Sequence, residues 1–367
     1  MLTRQNLLSE RMSRIDTSAI RRVFDLASKL PDPINLSIGQ PHYPAPAGVV
    51  EAAAKALRDG KTAYTPTQGI VPLRERLSKK YLEVNGFKVS PDDILVSSGV
   101  SSLIQLLFMT MIDPGDRIVL TDPCFLIYRG LANFFGAQIE WLPENFTDED
   151  LSAINTDRLK MILFCSPSNP TGRVMGEEQI RKLGNFSDKT GALLVSDEIY
   201  ELFDYEKKFV SAAKIFPGAM TLSGFSKTYS MTGLRLASAA GPSDIIKAMT
   251  ILQQYTIVCA PSDVQWAGIA ALDLDMSSYV QMYKKNRDRC MEVLKGKVSF
   301  PSPDGAFYIF PDVGQNDDQF VQRAIQEKQL LIVPGNIFSR SDRNVRISYA
   351  TSPEILERGL SAFMDLL

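Results

Sequence analysis

Residues 191–235, GALLVSDEIYELFDYEKKFVSAAKIFPGAMTLSGFSKTYSMTGLR, contain two apolar runs that each end in polar residues. ALLVSDE (192–198) and AMTLSGF (219–225) are short and show no regular alternation of polar and apolar side chains. Runs of this kind read as strands buried on both faces, as in a parallel sheet covered by helices. The pattern continues outward in both directions. ILVSSG (94–99), RIVLTD (117–122) and MILFCSP (161–167) read as strands. Among them come a helix over 100–112, the turn Asp113-Pro114-Gly115-Asp116 and a helix near 177–189. LASAAGP (236–242) closes the series. Strands alternating with helices define an α/β fold, here a large three-layer α/β/α domain around a mostly parallel sheet.

After about residue 261 the pattern changes. A helical region over 262–295, broken near 273–277, precedes short strands at GAFYIF (305–310), LLIVPG (330–335) and VRISYA (345–350). A helix over 352–366 ends the chain, and the whole reads as a smaller α+β domain. At the other end, residues 1–30 read as helical, with Ile20, Val23, Phe24 and Leu26 apolar. Five prolines make 31–46 extended coil, and a helix over 47–59 stops at Gly60. The expected division is 40–261 for the large domain, with 1–39 and 262–367 forming the small one. A chain of 367 residues, 45% of them hydrophobic, has enough apolar material for two domains.

Composition removes several function classes. Forty basic residues nearly balance 42 acidic ones, so no field favours nucleic acid or an anionic membrane. No apolar run is long enough to span a bilayer, and MLTRQNLLSERMSRID lacks the apolar stretch of a signal peptide, so a cytoplasmic protein is expected. Cys124, Cys165, Cys259 and Cys290 form no CxxC pair, which argues against a zinc site and a disulfide framework. The lone histidine, His42, excludes a multi-histidine metal site and any Ser-His-Asp triad without it. Within GQPHYP it reads as a surface or structural residue, or as one at the mouth of a site.

In such sheets the carboxyl ends of strands carry function. Lys227 follows AMTLSGF in SGFSKTYSMTGLR, among small and hydroxyl residues and eight positions before Arg235. It reads as a solvated loop lysine, or as an amine whose pKa is lowered for Schiff-base chemistry beside a phosphate held by an arginine fork. Asp197 ends ALLVSDE, with Tyr200 three residues on. It reads as a helix N-cap, or as a carboxylate that keeps a pyridinium nitrogen protonated. SPSNPTG (166–172) is a turn, or a turn that aims the Asn169 amide at a phenolic oxygen. SSGVSS (97–102) sets a glycine between strand and helix, where free N–H groups can meet an anion.

Taken together and in order, these segments resemble the class I/II aminotransferases of pyridoxal-5′-phosphate (PLP) fold type I, the aspartate aminotransferase superfamily. LSIGQP (36–41), AYTPTQGIVPLRE (63–75), DPGDRIVLTDPCF (113–125), SDEIY (196–200), IVPG (332–335) and VRISYA carry the resemblance across nearly the whole chain. It implies a PLP-dependent transaminase that passes an amino group from an L-amino acid to a 2-oxo acid in two alternating half-reactions. By that resemblance Lys227 carries the cofactor as a Schiff base and shuttles the α-proton. Asp197 partners the pyridine nitrogen, and Asn169 and Tyr200 donate to the phenolic oxygen. Arg235, Ser226 and the Val100–Ser101 backbone hold the phosphate, and Phe125 stacks on the ring. Arg346 clamps the substrate α-carboxylate, with Gly39 and Asn169 beside it. Tyr64 matches a tyrosine that reaches the phosphate of a neighbouring subunit, which implies a homodimer with shared sites.

One departure bears on substrate. Some relatives that act on acidic substrates carry a lysine where this chain has Ser101, and Ile257-Val258-Cys259-Ala260 is uncharged as well. Neutral or aromatic donors are therefore expected. If a cation does enter, Arg14, Arg22 and Arg340 are the candidates. The same residue set also suits a β-eliminating C–S lyase, a ring-forming synthase acting on S-adenosylmethionine, or a ligand-sensing module that has lost turnover.

Overall fold

The computed structural model describes residues 7–15 and 30–367. Of the helix expected over 1–30, a 3-10 turn at Glu10–Arg14 is described, while Ile20, Val23, Phe24 and Leu26 lie outside the described residues.

Twelve strands are described, numbered here in chain order. They are β1 (Ile34–Asn35), β2 (Ile94–Ser97), β3 (Arg117–Asp122), β4 (Gln138–Pro143), β5 (Leu159–Cys165) and β6 (Leu193–Asp197). The remainder are β7 (Met220–Gly224), β8 (Ala237–Ala240), β9 (Tyr308–Ile309), β10 (Leu330–Leu331), β11 (Val333–Pro334) and β12 (Val345–Ser348). Seven form one sheet in the order β2-β8-β7-β6-β5-β3-β4. Within it only β8 runs antiparallel to its neighbours, β2 and β7. A three-stranded sheet β11-β12-β9 and a parallel pair β1-β10 lie outside it.

Strand periodicity explains the layers. Ile118 and Leu120, Met161 and Leu163, and Leu193 and Val195 join one apolar cluster, with Leu103, Ile104, Leu107 and Phe108 of the helix Val100–Met111. The residues between them, Val119, Ile162 and Leu194, join a second cluster, with Ile180 and Leu183 of the helix Glu177–Thr190. Alternate side chains thus feed opposite faces, and both faces are covered. Each such buried side chain contributes about 1.5–3 kcal/mol. The Asp113–Asp116 turn forms as read: Asp116 N donates to Asp113 O at 3.1 Å, and Asp113 N to Asp116 Oδ2 at 2.9 Å.

Several boundaries need correction. The helix expected over 100–112 ends at Met111, and the one expected over 47–59 ends at Arg58. GAFYIF forms a strand only at Tyr308–Ile309, with an isolated bridge from Gly305 to Asp204, and LLIVPG splits into two two-residue strands. The proline-rich coil contains β1. β4 and the helices Val71–Lys80 and Leu126–Phe135 escaped the sequence reading. β4 is an edge strand carrying Gln138 and Glu140, so its partly exposed side chains dilute the apolar signal. No helix among the described residues is long and apolar enough to cross a membrane.

Because β3, β5, β6 and β7 run parallel, their carboxyl ends share one edge. Cys165 registers with Asp197, and Asp197 with Leu222, so the segments that follow these strands open onto a common space.

Candidate active site

That space is a cavity of about 290 Å³. Gly39, Val100, Ser101, Phe125, Asn169, Asp197, Tyr200, Ser226, Lys227, Arg235 and Arg346 all line it. Of the residues given a cofactor or substrate role from sequence, Tyr64 does not; the residue is 86% exposed. His42 is exposed and also lies off the cavity wall, with Nδ1 3.0 Å from the Tyr283 hydroxyl.

Lys227 follows β7, and its Nζ donates to Gly39 O at 2.6 Å. Desolvation lowers its pKa to about 8, helped by the positive charges of Arg346 and Arg235 and opposed by Asp197. Asp197 closes β6 and is buried. Its Oδ2 accepts from the Tyr128 hydroxyl at 2.6 Å and its Oδ1 from Ile199 N at 3.2 Å. Burial lifts this carboxyl to about 6, while those two donors and Lys227 pull the other way. The site therefore holds an amine shifted toward its neutral form and an acid shifted toward protonation, each for want of water.

Arg346, on β12, is 1% exposed. Its guanidinium sits 4.6 Å from the Tyr308 ring centroid and 4.7 Å from that of Phe338. Nη1 donates to Asn169 Oδ1 at 3.0 Å and Nη2 to Ser37 O at 2.8 Å. Its Nε is buried and has no hydrogen-bond partner among the described residues. A buried, charged donor in that state costs several kcal/mol unless a ligand satisfies it, and a carboxylate is the matching partner. Tyr200 OH lies 2.8 Å from Tyr308 OH.

At the other end of the cavity, Gly99 adopts φ +92° and leads into the helix Val100–Met111. A side chain there would run into the Arg235 guanidinium. The glycine thus lets an arginine and the first N–H groups of a helix converge, which is a cradle for a phosphate. Among the described residues Arg235 holds only carbonyl oxygens, those of Thr232 at 2.9 Å and Ser98 at 3.4 Å, and no carboxylate pairs with its charge. This donor set fits pyridoxal phosphate: an amine with lowered pKa, a buried carboxylate, an amide with a phenol, and an anion cradle.

Sequence reasoning missed Tyr128 and Tyr308. Tyr128 lies one helical turn past Phe125, and their rings meet edge to face at 5.9 Å. That spacing was the available signal. Tyr308 lay within GAFYIF, in which no residue was given a role.

Comparison with known proteins gives the family. Residues 31–363 match the family described as aminotransferase class I and II. A probable aspartate aminotransferase of Methanocaldococcus jannaschii is 37% identical, covering 98% of this chain and all of that protein. The crystal structure of an aspartate aminotransferase from Thermotoga maritima superposes with a TM-score of 0.93 at 32% identity, covering 98% of this chain and 99% of the other. A Methanococcus jannaschii structure, described as similar in its active site to kynurenine aminotransferases, gives 0.91 at 31% identity, with the same coverage. The chain belongs to the class I and II aminotransferases of PLP fold type I. It is a transaminase acting on amino acids and 2-oxo acids with pyridoxal 5′-phosphate.

Proposed function

We propose that this transaminase takes neutral or aromatic L-amino acids as donors in preference to aspartate. The observation that carries this reading is the charge on the cavity wall. Among the described residues its cations are Lys227, Arg235 and Arg346, each matched to the cofactor or to the α-carboxylate. Ser101, Ile104 and Ile38 supply a hydroxyl and apolar surface. Arg14 and Arg340 do not line the wall, and Arg22 lies outside the described residues. An unpaired side-chain carboxylate buried there costs several kcal/mol. The names of two of the relatives above specify aspartate, so the expectation separates this chain from them. The test is the second-order rate constant for the absorbance change of the bound cofactor with aspartate, alanine, leucine, methionine and phenylalanine. Neutral donors are expected to react faster. A preference for aspartate of about tenfold or more, ~1.4 kcal/mol, means that another cation enters the pocket.

The proposed roles follow from the groups present. Bound pyridoxal phosphate supplies an electron sink that makes the α-hydrogen of an amino acid acidic. Lys227 would hold the cofactor and would move the proton at the α-carbon, for which an amine with a pKa lowered to about 8 is suited. Asp197, oriented by Tyr128, supplies the anion for the ring nitrogen. Asn169 and Tyr200 serve the phenolic oxygen, and Phe125 covers the ring. Arg235, Ser226 and the backbone of Val100 and Ser101 hold the phosphate. Arg346 clamps the α-carboxylate through its unmatched donor, with Asn169 and the Gly39 backbone beside it. A donor and then an acceptor use the same pocket in turn, a ping-pong scheme.

We also infer a cytoplasmic homodimer with shared sites, in which 40–261 form the cofactor domain and 1–39 with 262–367 the small one. The exposure of Tyr64, together with exposed Tyr255 and Val258, supports this assembly. Re-associating Lys227→Ala chains with Tyr64→Phe chains is expected to regain activity, because one site of each mixed dimer has both native residues. If Tyr64 serves its own chain, mixing restores nothing.

A further inference from the structure

We propose that Glu144 is a positioning residue for the reaction, anchoring both sides of the turn that aims Asn169. The inference rests on the reading of Asn169 given above. Glu144 follows β4 at the sheet edge and is partly buried. Ser168 Oγ and Thr171 Oγ1 both donate to its Oε1, each at 2.7 Å. These two hydroxyls flank Asn169-Pro170, and Ser168, Asn169 and Thr171 are all buried. Two hydroxyl donors on one carboxylate oxygen make a short, charge-assisted clamp. The Glu144 backbone is itself fixed, since Gln179 Nε2 donates to its carbonyl at 2.9 Å.

The other supports of the turn come from different directions. Gly305 N donates to Gly172 O at 2.7 Å, and Met175 N to Ser166 Oγ at 3.0 Å. Gly172, at φ +73°, has no room for a side chain against Pro303 and the Tyr308 and Gly305 carbonyls. These contacts fix where the turn enters and leaves, and two backbone bonds close it, from Ser168 N to Arg173 O at 2.8 Å and from Gly172 N to Ser168 O at 3.0 Å. Among the described side chains, Glu144 is the one that clamps both residues flanking Asn169-Pro170. Asn169 in turn accepts from Arg346 at 3.0 Å. Such bonds fade past about 3.5 Å, so a shift of roughly half an ångström in the turn is enough to uncouple them. Glu144 therefore acts through Asn169 on both the cofactor's phenolic oxygen and the carboxylate clamp.

The test compares Glu144→Ala, Glu144→Gln and Asn169→Ala as holoenzymes, reading the pH midpoint of the bound cofactor's visible absorbance alongside kcat and KM. A donor to the phenolic oxygen favours its negative charge and lowers that midpoint, so a misaimed Asn169 raises it. Glu144→Ala is expected to raise the midpoint by about one unit and to cut kcat/KM about tenfold. Glu144→Gln keeps an oxygen that can accept both hydroxyls and is expected to stay close to the native values in both. The double variant Ser168→Ala/Thr171→Val removes the donors instead of the acceptor. It is expected to reproduce the shift, and it serves where Glu144→Ala folds poorly. A native midpoint in that double variant or in Glu144→Ala, with a shifted one in Asn169→Ala, overturns the role of Glu144. So does a glutamine variant as impaired as the alanine one. An unshifted Asn169→Ala brings down the reading of Asn169 itself.

Discussion

Lys227→Ala is expected to lower kcat by at least about 10⁴-fold, because one residue supplies both the covalent attachment and the proton transfer. The visible absorbance that depends on the lysine–cofactor linkage should vanish with it. No other group on the cavity wall can substitute. Arg235 and Arg346 offer guanidinium groups, which do not form that linkage. Lys80, another buried lysine, is paired with Glu201 and lies off the wall. The variant should fold, since the change removes an amine whose ammonium form is disfavoured by desolvation and which makes one hydrogen bond, to Gly39 O. Absorbance spectra and single-turnover rates on the purified variant check this. Activity within about tenfold of native would end the assignment of Lys227.

Asp197→Ala should reduce the rate roughly a hundredfold or more, about 2.7 kcal/mol at the least, with the protein still folded. The two effects differ in size for a physical reason. The truncation strands the Tyr128 hydroxyl and the Ile199 N–H, which lose their acceptors. Each loss costs about 1–3 kcal/mol, against a total stability of about 5–15 kcal/mol. The ring nitrogen loses its only nearby anion, because Asp197 is the one carboxylate on the cavity wall among the described residues. Thermal unfolding should therefore show a lowered but cooperative transition, and kinetics a near-collapse. A variant within a few-fold of native would remove Asp197 from the role.

Much of this protein could be read directly from the chain. The strands ending at Ser97, Asp122, Cys165, Asp197 and Gly224 were legible because they are buried on both faces, and such strands must be almost wholly apolar. Their polar carboxyl ends then mark the site, since parallel strands bring those ends to one edge. Lys227, Asp197, Asn169 and Arg346, which line one cavity, were singled out in this way or through the ordered motifs around them. β4 was not legible, because an edge strand with partly exposed side chains needs no such pattern.

Only the tertiary structure decided the contacts between distant segments. The bond from Lys227 to Gly39 spans 188 positions, and that from Arg346 to Asn169 spans 177. Tyr128 became the partner of Asp197, and Tyr308 that of Tyr200, through packing between residues 69 and 108 positions apart. The shifts of Lys227 and Asp197 belong to the same category. Each residue type was set by sequence, but its pKa depends on the water and the charges that the fold excludes or brings near. Glu144 is the clearest instance: in the chain it is one acidic residue after a strand, and only folding delivers two hydroxyls to one of its oxygens.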